Sequence, residues 1–335
     1  MRAVSPLRSG VRRRPARERL GLTCALLWGV LASMLPMRVS AAAPQWLGAA
    51  RPTGEISRVV TLAPSLTETM FALGRGRAVV GVSHWDDDPR VATLPRVGAA
   101  DAVSLEAILG LRPQLVMAQP TGPTRQSLRT LGELGIPVLL LPTETMEETA
   151  RSLRSAGRVV GAAAEGRRLA QELEETRGAL RAATRKLPHP RVLLMVGRDP
   201  LVVAGPGSYL SDMLTDVGGI NAADDLARPW STYPLERAVA GKPDIVLDGS
   251  RDGDQGAQTV RKLPGLESAR WVSPPTSAML RPGPSLTQGL RELAVLLHGP
   301  GVLESLPKPD PVKRPVRTSD PKKLQPDAGP TESDP

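Results

Sequence analysis

Apolar and polar positions along this chain fall into one pattern used twice. The stretch Val103 to Ala118, VSLEAILGLRPQLVMA, returns at Tyr233 to Asp248 as YPLERAVAGKPDIVLD, in register and without a gap. Leu105/Leu235, Glu106/Glu236, Pro113/Pro243 and Val116/Val246 are identical, and Arg112/Lys242, Leu115/Ile245 and Met117/Leu247 keep their chemistry. Each copy predicts a helix that stops before a Pro, because Pro disfavours the α conformation in the residue ahead of it. A short apolar run, LVMA or IVLD, then predicts a buried strand. A helix feeding a strand, repeated at long separation, predicts two similar α/β lobes.

The rest of the pattern fits that plan. Arg58 to Leu62 predicts a buried strand that breaks at Ala63-Pro64. Ser65 then stands as an N-cap with Glu68 as capping-box partner, opening a helix from Leu66 to Leu73. Further strands are expected at Ala78 to Ser83 and Pro137 to Leu141, with a turn at Gln119 to Pro123 and a helix through Gly132 between them. From Glu147 to Leu187 only helical spacing remains, as two helices meeting near Gly161. The second, about 39 Å long over Ala162 to Leu187, carries Leu169, Leu173, Leu180 and Leu187 near one face, with Arg177 and Arg181 facing solvent. It is expected to cross between the lobes as a rigid connection. Arg191 to Val196 then restarts the first lobe's order. Leu201 to Val203, the Gly205-Pro206-Gly207-Ser208 turn, a helix from Tyr209 to Val217, the second repeat copy and a last helix from Ser285 to His298 follow.

The two ends lie apart from the lobes. Met1 to Arg19 is Arg-rich, Leu20 to Leu35 is apolar, and Val39-Ser40-Ala41 is a small-residue cleavage pattern, the order of a secretory signal peptide. The apolar run is shorter than the roughly 20 residues a spanning helix needs. Residues 42–57 read as a spacer, 58–160 as the N-terminal lobe, 161–187 as the connecting helix and 188–305 as the C-terminal lobe. Residues 306–335, Pro-rich and nearly devoid of apolar side chains, are expected to be a disordered tail.

Removing the leader changes the charge picture. Of the net charge of +9, residues 1–41 hold +7, from eight Arg and one Glu, which leaves +2 for the mature chain. Its basicity therefore speaks for export, and no basic patch with interleaved aromatics marks a nucleic-acid surface. The single cysteine, Cys24, lies inside the leader, so a mature protein in the periplasm would need no disulfide.

Ligands of open parallel sheets sit beyond the carboxyl ends of the strands, and those of bilobed proteins at the lobe interface. The candidate ligand-binding residues there are Ser65, His84, Trp85, Gln119, Arg198, Tyr209, Trp230 and Arg281. Trp85 and Trp230 stand out because the chain has only one Phe, two Tyr and five Trp. Arg198, Arg228 and Arg281 suit carboxylates or phosphates, and Asp86-Asp87-Asp88 reads as either a cation cluster or a solvated turn. Metal ligation by the lone His84 is the weaker reading, and no cofactor is expected. The motifs G-x-S-x-G, H-E-x-x-H and G-x-x-x-x-G-K-[ST] are absent, which leaves a secreted hydrolase built from distant residues as the rival class.

Together, RVVTLAPSLTETMFALG, VGVSHWDDDP, SLEAILGLRPQLVMA, ELGIPVLLLP and LRPGPSLTQGLRELAVLLHG resemble the iron-chelate and cobalamin class of periplasmic substrate-binding proteins, over roughly Arg58 to Gly299. The resemblance implies two lobes joined by one long helix, no enzymatic activity, and delivery of a large chelate to the permease dimer of an ABC importer at the inner membrane. Cobalamin is the first ligand implied, a ferric siderophore or haem the alternatives, and a monomer is expected. By the same resemblance, aromatics of the cobalamin-binding members fall at Trp85 and Trp230, while two others are Gln119 and Val196 here. A frequent Gly-Pro-Arg is Gly283-Pro284-Ser285. The matched Glu106 and Glu236 are implied to dock the permease through its Arg residues.

Overall fold

The computed structural model describes residues 42–98, 102–120, 125–250, 266–304 and 306. The signal-peptide reading of residues 1–41, the turn residues Thr121 to Pro123 and the tail beyond Leu306 lie outside the described residues. The first sheet holds β1 (Gln45–Leu47), β2 (Val59–Thr61), β3 (Val79–Val82), β4 (Leu115–Ala118) and β5 (Val138–Leu140), in the order β1-β5-β4-β2-β3. Strands β2 to β5 run parallel, with α1 (Pro64–Ala72), α2 (Leu105–Gly110) and α3 (Arg125–Glu133) between them in the chain. Residues 42–57, expected as a spacer, supply β1, which pairs antiparallel with β5. Leu47 is buried there, enough apolar contact to lay a short edge strand.

Two helices follow, α4 (Met146–Val159) and α5 (Ala163–Thr184), joined through Gly161 at φ 71°. At 22 residues α5 is about 33 Å long. The pair crosses at Gly157 and Gly166. A β-carbon on Gly157 would lie 2.8 Å from the Gly166 α-carbon, and one on Gly166 would lie 2.7 Å from the Leu153 carbonyl oxygen. Only glycine lets the two backbones come this close.

The second sheet holds β6 (Arg191–Arg198), β7 (Leu201–Ala204), β8 (Ile220–Asn221), β9 (Trp230–Thr232), β10 (Ile245–Asp248) and β11 (Arg270–Val272). Its order is β11-β10-β6-β7-β9, with β8 also on β6. Strands β11, β10, β6 and β8 are parallel, whereas β7 and β9 add an antiparallel edge. Helices α6 (Tyr209–Asp216), α7 (Leu235–Ala240) and α8 (Leu286–His298) complete this lobe.

The apolar runs become strands because both sheet faces are covered. Leu115 and Met117 of β4 point into a core continuous from the first lobe through α4 and α5 into the second, while Val116 and Ala118 point to a separate outer core. The second copy repeats this, with Ile245 and Leu247 inward and Val246 outward. Each such buried side chain contributes about 1.5–3 kcal/mol.

The duplication extends to backbone detail. Arg112 and Lys242, matched in the repeat, both sit in the left-handed region at φ 45° and 44°. The pre-proline residue is thus turned left-handed, a second escape from the α conformation that Pro disfavours there. In each lobe the residue after the Pro binds the main chain at the start of the central strand. Gln114 Oε1 accepts the Arg58 N–H at 3.1 Å, and Asp244 Oδ2 accepts the Arg191 N–H at 2.8 Å. Arg58 and Arg191 donate in turn to the carbonyls of Leu111 and Gly241.

Two local expectations need correction. Helix α1 begins at Pro64 with Ala63 as N-cap and no side-chain cap, because Pro at the first helical position supplies the preset φ. Ser65 and Glu68 are therefore free for contacts in the site. Arg177 and Arg181 do not simply face solvent: both donate through Nε at 2.5 Å to Asp216 of α6, whose carboxylate is buried. The connecting helix is thereby pinned to the second lobe.

Candidate functional site

The carboxyl ends of the parallel strands meet where the two lobes face each other. On the first lobe, Gln119 after β4 donates through Nε2 to Thr143 Oγ1 at 2.8 Å and Ser65 Oγ at 3.3 Å. The second lobe's Arg281 to Ser285 loop packs on this group. A β-carbon on Gly283 would lie 3.1 Å from the Ser65 carbonyl oxygen, a tight contact that Ser65 could relieve only by giving way by a few tenths of an ångström. A pocket between the lobes is lined by Leu66, Thr69, Leu141 and Thr143 from one side and Pro282 and Gly283 from the other.

Polar contacts among the described residues cross between the lobes. Arg281 pairs with Asp87, and Ser285 Oγ donates to Glu68 Oε2 at 3.0 Å. Trp230 Nε1 donates to Glu144, and the Met146 N–H donates to Asp212 Oδ2 at 3.0 Å. Burial raises the Glu144 carboxyl above its ordinary range against the Trp230 bond, and Glu148 adds to the rise. Tyr209 and Trp230 pack as a tilted pair, ring centres 5.6 Å apart. Burial, reinforced by Glu144, pushes the Tyr209 hydroxyl far up.

The predicted site residues thus divide. Ser65 and Gln119 are brought together, as are Tyr209 and Trp230, and Arg281 is tied to the loop that carries His84 and Trp85. Trp85 is 57% exposed and His84 is exposed. Arg198 lies inside its own lobe, its guanidinium paired with Asp248 and donating to Ser250 Oγ. Arg228 is exposed. Glu106 and Glu236 lie in the first turns of α2 and α7, both exposed.

The three consecutive aspartates separate into three tasks. Asp86 is buried and accepts from Thr67 Oγ1 at 2.7 Å, Asp87 pairs with Arg281, and Asp88 caps the turn at Pro89 and pairs with Arg90. Among the described residues no cluster of three or more His, Cys, Asp or Glu suits a metal ion. Sequence reasoning missed Glu144 and Thr143 altogether and gave Glu68 a local cap. Neither Glu144 nor Thr143 carries a motif; only their position just past a buried strand singles them out.

Residues 59–270 match the family described as periplasmic binding protein. The chain belongs to the periplasmic binding protein family. Its members are substrate-binding transport proteins that work with ABC importer permeases. This periplasmic binding protein is 32% identical over 212 residues to the vitamin B12-binding protein of Salmonella typhimurium, covering 63% of this chain and 77% of that one. It is 26% identical over 236 residues to the vitamin B12-binding protein of Vibrio parahaemolyticus, covering 67% and 86%. The periplasmic haem-binding protein RhuT from Roseiflexus sp. RS-1 superposes with a TM-score of 0.65 at 29% identity, covering 74% of this chain and 99% of that one. No helix among the described residues is long and apolar enough to cross a membrane.

Glu68 offers a test of how this binding protein holds its lobes together. Burial raises its carboxyl above the ordinary value, outweighing the bond from Ser285 and the charges of Arg281 and Arg90. An acid raised on folding costs stability at pH values above its folded pKa, and that cost fades as pH falls towards the unfolded value. Glu68→Gln keeps an acceptor for Ser285 and removes the charge. The expected result is a higher melting temperature at pH 7 and no gain near pH 4, read by thermal unfolding across that range. A gain that grows on acidification would contradict the account.

Proposed function

We propose that this protein captures cobalamin in the periplasm, after removal of residues 1–41, and delivers it to the permease dimer of an ABC importer. The observation that carries the ligand class is the charge balance of the cleft. Arg281 pairs with Asp87 and Arg198 with Asp248, so the charge of each guanidinium is already balanced by a carboxylate, while Arg281 Nε and Arg198 Nη1 keep no hydrogen-bond partner among the described residues. What the cleft offers instead is Trp85, largely exposed, and Trp230, held by Glu144 and Tyr209. A bulky corrinoid whose periphery is mostly neutral amides fits such aromatic, charge-balanced walls better than a catecholate siderophore or a haem dicarboxylate. The vitamin B12-binding names of the Salmonella and Vibrio relatives support the same ligand.

Haem is the second reading, favoured by the likeness to the Roseiflexus haem-binding protein. Against it, Tyr209 is buried with its hydroxyl held protonated, a poor state for an iron ligand. His84 remains as an exposed side chain on the Trp85 loop. The deciding experiment incubates purified protein separately with cyanocobalamin, haemin and a ferric siderophore, records the absorption spectrum after desalting, and titrates each by calorimetry. Retained cobalamin with saturable heat is expected; retained haem or siderophore without cobalamin would overturn the ligand.

A further inference from the structure

The strand β1 brings the start of the described chain to the cleft. Gln45 stands opposite Leu140 in an antiparallel pair, so three steps back along one strand and three forward along the other set Ala42 beside Thr143. There the Ala42 nitrogen donates to Glu148 Oε1 at 2.6 Å. Glu148 is only 5% exposed. It closes the capping box of α4 with Thr145, and its Oε2 also accepts the N–H of Glu144 at 2.8 Å. Its partners among the described residues are backbone nitrogens: those of Ala42, Glu144 and Thr145. With Glu144 and Asp212 close by, the mouth of α4 gathers acidic side chains, and among the described residues no Lys or Arg forms an ion pair with Glu148.

Ala42 is also the residue that follows the small-residue pattern Val39-Ser40-Ala41. We propose that export cleavage falls between Ala41 and Ala42, and that the α-ammonium it frees pairs with the buried Glu148 carboxylate to complete the α4 cap beneath the cleft. The step is hydrolysis by a membrane-bound export peptidase. One water is consumed, the new carboxylate stays on Ala41, and the amine of Ala42 takes up a proton. In the precursor the same nitrogen is a neutral amide. After cleavage it carries a full positive charge, and charge-assisted hydrogen bonds are roughly twice as strong as neutral ones. Glu148 then links the new N-terminus, through the Glu144 main chain, to the residue that holds Trp230. Processing thus finishes the fold at the binding site.

This inference rests on the export reading, and one set of measurements separates the two. The full-length chain is exported in a bacterial host and the intact mass of the periplasmic product is measured. A product beginning at Ala42 is expected; a product starting elsewhere overturns this inference alone, and a retained leader overturns the export reading with it. Thermal unfolding then compares the mature protein with a form carrying Gly-Ser ahead of Ala42, each with and without Glu148→Gln. The extension is expected to lower the melting temperature by about 4 °C in the wild-type background and by less than about 1 °C with Glu148→Gln. Equal losses in both backgrounds would overturn the pairing. Should Glu148→Gln fail to fold, selective acetylation of the Ala42 amine in the mature wild type must lower the melting temperature, and no change overturns the proposal.

Discussion

Cobalamin affinity is expected to fall by about 2–6 kcal/mol when Trp85 and Trp230 are both replaced by Ala, by analogy with the roughly 1–3 kcal/mol of each base stacked on an aromatic. The two positions differ in how they are prepared. Trp230 is oriented before any ligand arrives, because Glu144 holds its indole N–H and Tyr209 flanks its ring. Trp85 has no ring partner among the described residues and is 57% exposed, so ligand contact gains it the most burial. Trp230→Ala also releases the Glu144 bond between the lobes, and its circular dichroism and melting curve must accompany the calorimetric titration. Unchanged affinity in the double variant, with the fold intact, would remove both residues from the binding site.

Transport should fail while ligand binding survives in the charge-reversal pair Glu106→Arg with Glu236→Arg. Both side chains are exposed, in the first turns of equivalent six-residue helices, where a carboxylate is favoured by the helix dipole. The dipole explains each alone but not their matched place in the two lobes. We propose that they dock the binding protein on its permease. Opposite charges guide an encounter and set its orientation, and like charges brought face to face cost several kcal/mol. Uptake of cobalamin into vesicles reconstituted with the importer is therefore expected to drop about a hundredfold. Normal uptake would exclude the docking role, and lost ligand affinity would point to damage within the lobes instead.

How far the sequence reveals this molecule depends on the range over which its residues act. LVMA and the IVL of IVLD announced buried strands because a sheet covered on both faces favours apolar residues at successive positions. The matched Pro113 and Pro243 announced the ends of α2 and α7, a local steric effect. Leu169, Leu173 and Leu180 announced α5 by their spacing. By contrast, Arg281 finds Asp87 and Trp230 finds Glu144 across the lobes, far apart in sequence, and no periodicity records such partners. Glu68 shows the same limit: its spacing from Ser65 spelled a local cap, whereas the fold gave it Ser285. The antiparallel edge strands β1 and β9 are only three residues each, and their pairing depends on what lies beside them.

The crossing of Gly157 over Gly166 bears on how a ligand is chosen. Where two main chains touch, no side chain is present to yield, and tilting one helix on the other would press backbone into backbone. We propose that the jaws therefore stand at a nearly fixed spacing, and small-angle scattering should give nearly equal radii of gyration with and without cobalamin; a marked compaction would show that the crossing bends. A gauge of set width judges its object at entry, by thickness. Molecules too thick are refused, and those too thin touch one wall and leave again. Selectivity on these terms is a matter of calibre, set when the α4 and α5 glycines meet during folding.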